Sequence, residues 1–268
     1  MTASVPHPVP EGAERPGDAY VQSFARGLAV IRAFSAERPA QTLTEVAQVT
    51  GLTRAGARRI LLTLLALGYV ENEGRVFRLT PRILDLGFAY LTSLPFWSVA
   101  EPVMEALVAQ VHESSSAAVL DGADIVYVVR VPTHKIMTVN LSIGSRLPAL
   151  WTSMGRVLLS GLAPERLDAV IAATPLEART PRTLTDAAAL REAIAQVRRQ
   201  GWALVEQELE PGLMSLSAPI RDRQGRIIAA LNISGNAQRK TARQMVREFL
   251  APLQAAAERV SSVISARG

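Results

Sequence analysis

An α+β chain of two domains is what this sequence predicts, and three observations predict it. The chain has 268 residues, enough for two cores, and 49% of them are hydrophobic. Residues Leu43 to Thr80, LTEVAQVTGLTRAGARRILLTLLALGYVENEGRVFRLT, run as short helix, tight turn, longer arginine-bearing helix and polar-turned hairpin. That order is the layout of a winged helix-turn-helix. Beyond residue 95, strand-like runs fall in two groups of three with helical segments around them, implying one antiparallel sheet flanked by helices.

Residues 1–19, MTASVPHPVPEGAERPGDA, have the composition of a disordered tail. A helix is expected from Gln22 to Ser35, with Val30, Ile31 and Phe34 at helical spacing. Thr42 or Thr44 can cap the next helix, which runs to Thr50 before Gly51 takes the turn. Thr53 caps the second helix, whose buried stripe is Ala57, Ile60, Leu61 and Leu64. Thr53, Arg54, Ala55 and Gly56 form its first turn, the part of such a motif that enters the major groove of double-stranded DNA. Tyr69–Val70 and Val76–Leu79 read as a hairpin around Glu73–Gly74. Pro81 starts a further helix, PRILDLGFAYLTSL, apolar on more than one face, so it needs a partner such as a second subunit. Pro95 ends it. The expected division is a winged domain over 20–80, a linker helix over 81–95 and a second domain over 96–268.

The second domain opens with a helix from Val99 to Glu113. Strands are expected at Ser116–Leu120, Ile125–Val131 and Ile136–Leu141, with Asp121–Gly122 as the first turn. Helices follow over 152–162, 164–173 and 186–200, the last capped by Thr185 and stopped by Gly201. Strands return at Trp202–Glu206, Ser215–Arg221 and Arg226–Ser234. A terminal helix starts after Thr241, with a kink expected near Pro252.

Charge placement suggests the partner. From Arg54 to Arg82 there are six arginines against Glu71 and Glu73, a local +4 in a chain of net +5. On a groove-reading helix and its wing, that excess favours phosphate contact. Arg54, Arg58 and Arg59 are candidates for guanine edges or phosphates, and Arg26, Arg75 and Arg78 for phosphates. The absence of cysteine excludes disulfides and thiolate chemistry and fits a reducing cytoplasm. No apolar run approaches the ~20 residues that span a bilayer, so no membrane partner is expected. Histidines 7, 112 and 134 are scattered, and no HExxH, catalytic triad neighbourhood or phosphate-cradling loop appears. No enzyme, cofactor or metal is therefore expected. The competing readings are an enzyme whose winged domain serves only for interaction, and a helix-turn-helix module used for protein contact, which the +4 cluster disfavours.

The residues quoted above carry a resemblance. SFARGLAVIRAF, GLTRAGARRILLTLLALGYV and FRLTPRILDLG in the first domain are similar to the IclR family of bacterial transcriptional regulators. So are IGSRLPALWTSMGRVLLSG, LMSLSAPI and IIAALNISG in the second, and the likeness runs from Tyr20 to Ile264. YLTSLPFWSVAEPVMEAL and IVYVVRVPTHKIMTVNLSIGSRLPA most resemble regulators of protocatechuate, 4-hydroxybenzoate and β-ketoadipate catabolism. The resemblance implies a GAF-like second domain, dimers able to pair into tetramers, contact with RNA polymerase, and control by a small organic acid effector. Gly56 departs from it, because relatives usually carry Thr or Ser there. That departure bears on the operator sequence, not on DNA binding.

The same resemblance maps an effector pocket onto Met137 and Asn140, onto Trp151, Thr152, Ser153, Met154 and Gly155 at a helix start, onto Glu206, Leu213 and Ser215, and onto Asn232 and Ser234. A helix start suits an anion through its free amides and dipole. For Met137, Trp151 and Met154, ordinary core packing is the competing reading. Arg130 is charged within an apolar strand: it is either a carboxylate clamp or a residue on the outer face of an edge strand.

Overall fold

A computed structural model describes residues 19–94, 97–133 and 141–267. The chain divides between Leu91 and Thr92 into two compact units.

The first unit holds α1 (Gln22–Arg32), β1 (Ala40–Thr42), α2 (Leu43–Thr50), α3 (Arg54–Ala66), β2 (Val70–Glu73), β3 (Val76–Leu79) and, after a 3₁₀ turn at Pro81–Ile83, all but the last two residues of α4 (Leu84–Ser93). Of the two threonines able to cap α2, Thr42 does so. Its Oγ1 accepts from the Glu45 amide over 3.3 Å, and its own amide donates to Glu45 Oε2 over 2.7 Å. This reciprocal box satisfies two donors that a helix start leaves free. Gly51 turns the chain at φ 66°, a left-handed value that glycine adopts at little cost. Val30, Phe34, Val46, Ala47, Ala57, Leu61, Leu64 and Val70 form one core. Full burial of a side chain such as Leu61 contributes ~1.5–3 kcal/mol.

Two details differ from expectation. The first helix ends at Arg32 rather than Ser35. The wing also has three strands in the order β1-β3-β2, because Ala40–Thr42 pairs with Val76–Arg78. Three residues are too few to show alternation in a sequence. Gln41 is the residue of β1 that turns inward, and its Nε2 donates to the Ala33 carbonyl over 2.9 Å.

The second unit holds α5 (Trp97–Val111), β4 (Ser114–Asp121), β5 (Asp124–Val131), β6 (Arg146–Pro148), α6 (Ser153–Ser160), α7 (Pro164–Ala173), α8 (Ala187–Gln200), β7 (Ala203–Glu206), β8 (Leu213–Arg221), β9 (Ile227–Asn236) and α9 (Ala242–Arg267). The strands form one sheet in the order β6-β5-β4-β9-β8-β7, antiparallel at every step. Helix α6 packs on one face with α8 against it, and α5 and α9 pack on the other. This is the GAF-like arrangement that the resemblance implied.

The third strand expected at 136–141 lies outside the described residues except Leu141, which is not in a strand. Beside Asp124–Val126 of β5 runs Arg146–Pro148, fastened where Arg146 Nη1 meets Asp121 Oδ2 over 2.7 Å. Helix α8 is capped by Asp186, whose Oδ2 accepts from the Ala189 amide over 2.7 Å, and not by Thr185. Pro252 lies inside the unbroken α9. Among the described residues no single helix is long and apolar enough to cross a membrane.

Candidate functional site

Helix α3 presents a basic surface. Thr53, Arg54, Ala55, Arg58 and Arg59 are exposed, and Gly56 is half-buried. Thr53 Oγ1 accepts from the Gly56 amide over 3.1 Å, which caps the helix and leaves the hydroxyl hydrogen free to donate outward. Among the described residues no carboxylate lies within ion-pair range of Arg54, Arg58 or Arg59, so their charges are not neutralised within the fold. Arg26 on α1 and Arg75 and Arg78 on the wing are also exposed. Arg78 stands directly opposite Glu71 in the β2–β3 ladder, which reduces its net pull on a phosphate. Arg82, counted in the +4 excess, lies over the Tyr69 ring at 5.6 Å from its centre.

The α6-facing side of the large sheet is polar at one end and apolar at the other. Ser116 pairs with Arg130 on β5 and with Asn232 on β9, and Asn232 pairs with Ser217 on β8. One step along, Ser114, Ser234 and Ser215 form a second row on the same face. Beyond them the face turns to Ala118, Tyr127, Ile125 and Ala230, which join the core under α6 and α8. Strand alternation places all these side chains on one side.

Arg130 reaches that side through a bulge. Ala117 pairs with Val129 but Ala118 with Tyr127, so Val128 is an extra residue in β5. The insertion shifts the alternation by one position and brings Arg130 onto the face of Tyr127. Of its two sequence readings, the outer face of an edge strand is therefore the wrong one. Burial pushes the Tyr127 phenol up to about 12, against the opposing charge of Arg130.

The start of α6 closes over the polar end. Ser153 Oγ hydrogen-bonds to Ser215 Oγ and, over 2.7 Å, to Ser217 Oγ. Asn232 Oδ1 accepts from the Ser116 amide over 2.9 Å, and its Nδ2 donates to Ser234 Oγ over 3.1 Å. Arg130 Nη1 donates to Ser116 Oγ over 3.3 Å. Thr152 caps α6 by accepting from the Gly155 amide over 3.1 Å. A Cβ on Gly155 would meet the backbone of Ala149 at less than 3.0 Å, so glycine is what allows α6 to sit this low.

The structure thus gathers Arg130, Thr152, Ser153, Gly155, Leu213, Ser215, Asn232 and Ser234 at one end of the sheet. Met137 and Asn140 lie outside the described residues. Trp151 and Met154 lie in the core beside the cluster, and the Trp151 indole N–H donates to the Leu184 carbonyl over 2.8 Å. Glu206 is a correction. It pairs with Met214, so alternation points it to the face opposite Ser215, and Arg182 engages its carboxylate at 2.6 Å. Sequence reasoning missed Ser114, Ser116 and Ser217. For Ser217 the signal was there, as small polar residues at period two with Ser215 in an otherwise apolar strand, whereas Ser114 and Ser116 are hidden in an unbroken serine run. It also missed the buried ion pair of Arg156 and Glu208, 2.6 Å apart.

An open groove of about 870 Å³ lies on the opposite face between α9 and the β8–β9 turn. Its arginines are spent locally, Arg221 on the Gly225 carbonyl and Arg223 on the Ser265 carbonyl. At the Ser153 end buried polar groups converge beside an apolar wall, the composition that suits a ligand. Among the described residues no cluster of His, Asp or Glu is placed to hold a metal ion.

A winged helix-turn-helix followed by a GAF-like domain with a buried polar cluster defines a class of protein, the two-domain DNA-binding regulator. Residues 88–262 match the family described as bacterial transcriptional regulator IclR C-terminal, and residues 23–74 match the IclR helix-turn-helix domain. The chain belongs to the IclR family of transcriptional regulators. It is 43% identical to the Pca regulon regulatory protein of Pseudomonas putida, over 88% of this chain and 82% of that one. It is 34% identical to the p-hydroxybenzoate hydroxylase transcriptional activator of Acinetobacter baylyi, over 91% of this chain and 92% of that one. Among solved structures, an IclR homolog from Microbacterium hydrocarbonoxydans complexed with 4-hydroxybenzoate superposes with a TM-score of 0.82 at 27% identity. That match covers 91% of this chain and 99% of the homolog.

Proposed function

We propose that this regulator controls genes for the catabolism of aromatic acids, and that its effector is a small carboxylate of the protocatechuate, 4-hydroxybenzoate or β-ketoadipate pathway. The observation that carries the effector reading is the row Arg130, Ser116, Asn232 and Ser217, with Ser153 laid across its neighbours. A guanidinium suits a carboxylate, and the hydroxyls and amide suit further oxygens on the same ligand. Tyr127 and Ala118 supply an apolar wall next to it. The names of the Pseudomonas and Acinetobacter relatives and the ligand of the Microbacterium homolog support the same reading.

The DNA site is proposed as Thr53, Arg54, Ala55, Gly56, Arg58 and Arg59 in the groove, with Arg26, Arg75 and Arg78 at the backbone. The proposed working division is output over 20–80, connector over 81–95 and sensor over 96–268. The connector bears exposed Leu84 and Leu86, apolar surface that suits a second copy of the chain. In this reading the regulator acts as a dimer, able to pair into tetramers, on operator DNA in the cytoplasm, with RNA polymerase as a further partner and no enzymatic role.

A thermal-shift series with protocatechuate, 4-hydroxybenzoate and β-ketoadipate tests the effector reading, because a ligand that binds the folded state raises its apparent stability. A rise with one of the three is expected. No rise with any of them removes the aromatic-acid assignment.

A further inference from the structure

Arg156 and Glu208 form a buried ion pair that belongs neither to the DNA surface nor to the serine cluster. Arg156 Nη2 meets Glu208 Oε2 over 2.6 Å, and Arg156 Nε donates to the Leu150 carbonyl over 3.0 Å. Glu208 Oε2 also accepts from the Leu184 amide over 3.4 Å. The Leu184 carbonyl, in turn, takes the indole N–H of Trp151 over 2.8 Å. The charges therefore close a ring through three segments: the start of α6, the loop before α8, and the loop between β7 and β8. The β7–β8 loop is fixed a second time where Thr183 Oγ1 donates to the Glu208 carbonyl over 2.6 Å.

Two of these segments also make the candidate effector site. Arg156 lies one helical turn after Ser153, and Glu208 leads into the strand that carries Ser215 and Ser217. Residues three apart on a helix share a face. The pair ties α6 to the β7–β8 loop, and the Ser153 hydroxyl ties α6 to β8, the strand that this loop leads into. A buried ion pair is a weak source of stability, since apolar replacements of like volume are often neutral. Its directional contacts, Nη2 to Glu208 and Nε to the Leu150 carbonyl, do fix geometry.

We infer that Arg156 and Glu208 are positioning residues for effector recognition, holding α6 and the β7–β8 loop at the spacing that aligns Ser153 with Ser215 and Ser217. This rests on the effector reading proposed above. The test compares the full-length protein with the double variant Arg156→Met/Glu208→Leu and with Arg156→Lys. Four quantities are measured: thermal midpoint, amide hydrogen exchange, affinity for 4-hydroxybenzoate and protocatechuate, and affinity for operator DNA without ligand.

In the double variant, exchange is expected to rise at 153–156 and 207–213 while β4 and β9 keep their protection. Affinity for the acid that binds the wild type should fall about tenfold or more, the scale of one lost charged hydrogen bond. Midpoint and operator affinity should stay close to wild type. Arg156→Lys keeps the charge but cannot serve both Glu208 and Leu150, so it should lose part of the affinity with the fold retained. It keeps the inference testable if the double variant does not fold. Unchanged exchange at 207–213, or acid affinity within about twofold of wild type in both variants, overturns the inference. If the wild type binds neither acid, the effector reading fails, and the exchange data still decide whether the pair holds the two segments together.

Discussion

Arg130 and Ser116 stand opposite each other on neighbouring strands, joined over 3.3 Å, because one extra residue in β5 turns the arginine to the α6 side of the sheet. Arg130→Gln is expected to weaken effector binding by about 1.5–3 kcal/mol, the range for a hydrogen bond to a charged group. Isothermal titration with the acid that stabilises the wild type measures the loss. Because Arg130 is only half-buried, its unfolding midpoint should hardly move. An unchanged affinity would remove Arg130 from the site.

Gly155 allows a close approach that no other residue can match, since a Cβ would overlap the Ala149 backbone. Gly155→Ala is expected to lift the start of α6 and cost about 1–3 kcal/mol, as overpacked cores do. Urea denaturation measures the cost. Effector affinity should fall with it, because Ser153 sits two residues earlier on the same turn. Full stability in this variant contradicts the packing described.

These two positions show how much the sequence revealed and where it stopped. The winged helix-turn-helix was legible because its signals are local: Thr53 as cap, Gly51 as turn, and a stripe at helical spacing. The strands of the large sheet were legible as apolar runs, except β6, which like β1 of the wing is only three residues long. The facing of Arg130 was not legible, because a bulge leaves no mark in composition and inverts simple alternation. Glu206 failed for the opposite reason: one position of strand phase puts it on the far face of the sheet. The Arg156–Glu208 pair joins residues 52 apart in sequence, a contact that only the tertiary structure creates.

Tyr127 makes stability depend on pH at the alkaline end. Burial raises its phenol from 10.0 to about 12, so the fold favours the neutral form. That contribution is full below the unfolded value and is lost as pH rises through the folded one. The difference corresponds to about 3 kcal/mol. Denaturation followed from pH ~9 to ~12 should show a steeper loss for the wild type than for Tyr127→Phe. Parallel curves would mean that the phenol ionises in the folded state as freely as in the unfolded chain.

On the DNA side, Arg58→Ala and Arg59→Ala should each abolish or sharply weaken the footprint while leaving circular dichroism and oligomeric state intact. For an arginine that contacts only a phosphate, the slope of log affinity against log salt should fall by about 0.9. An arginine that reads a base should cost ~1–3 kcal/mol and relax the preference at one operator position. Wild-type binding in both variants would move the interface away from α3.

The most direct measurement on this regulator is an anisotropy titration of its own upstream DNA with and without the acid that raises its thermal midpoint. Effector and operator are expected to be coupled, so the acid should change operator affinity by about fivefold or more. Arg130→Gln should abolish that change without altering affinity for DNA alone. The same operator affinity with and without saturating acid would contradict effector control through the Ser153 site.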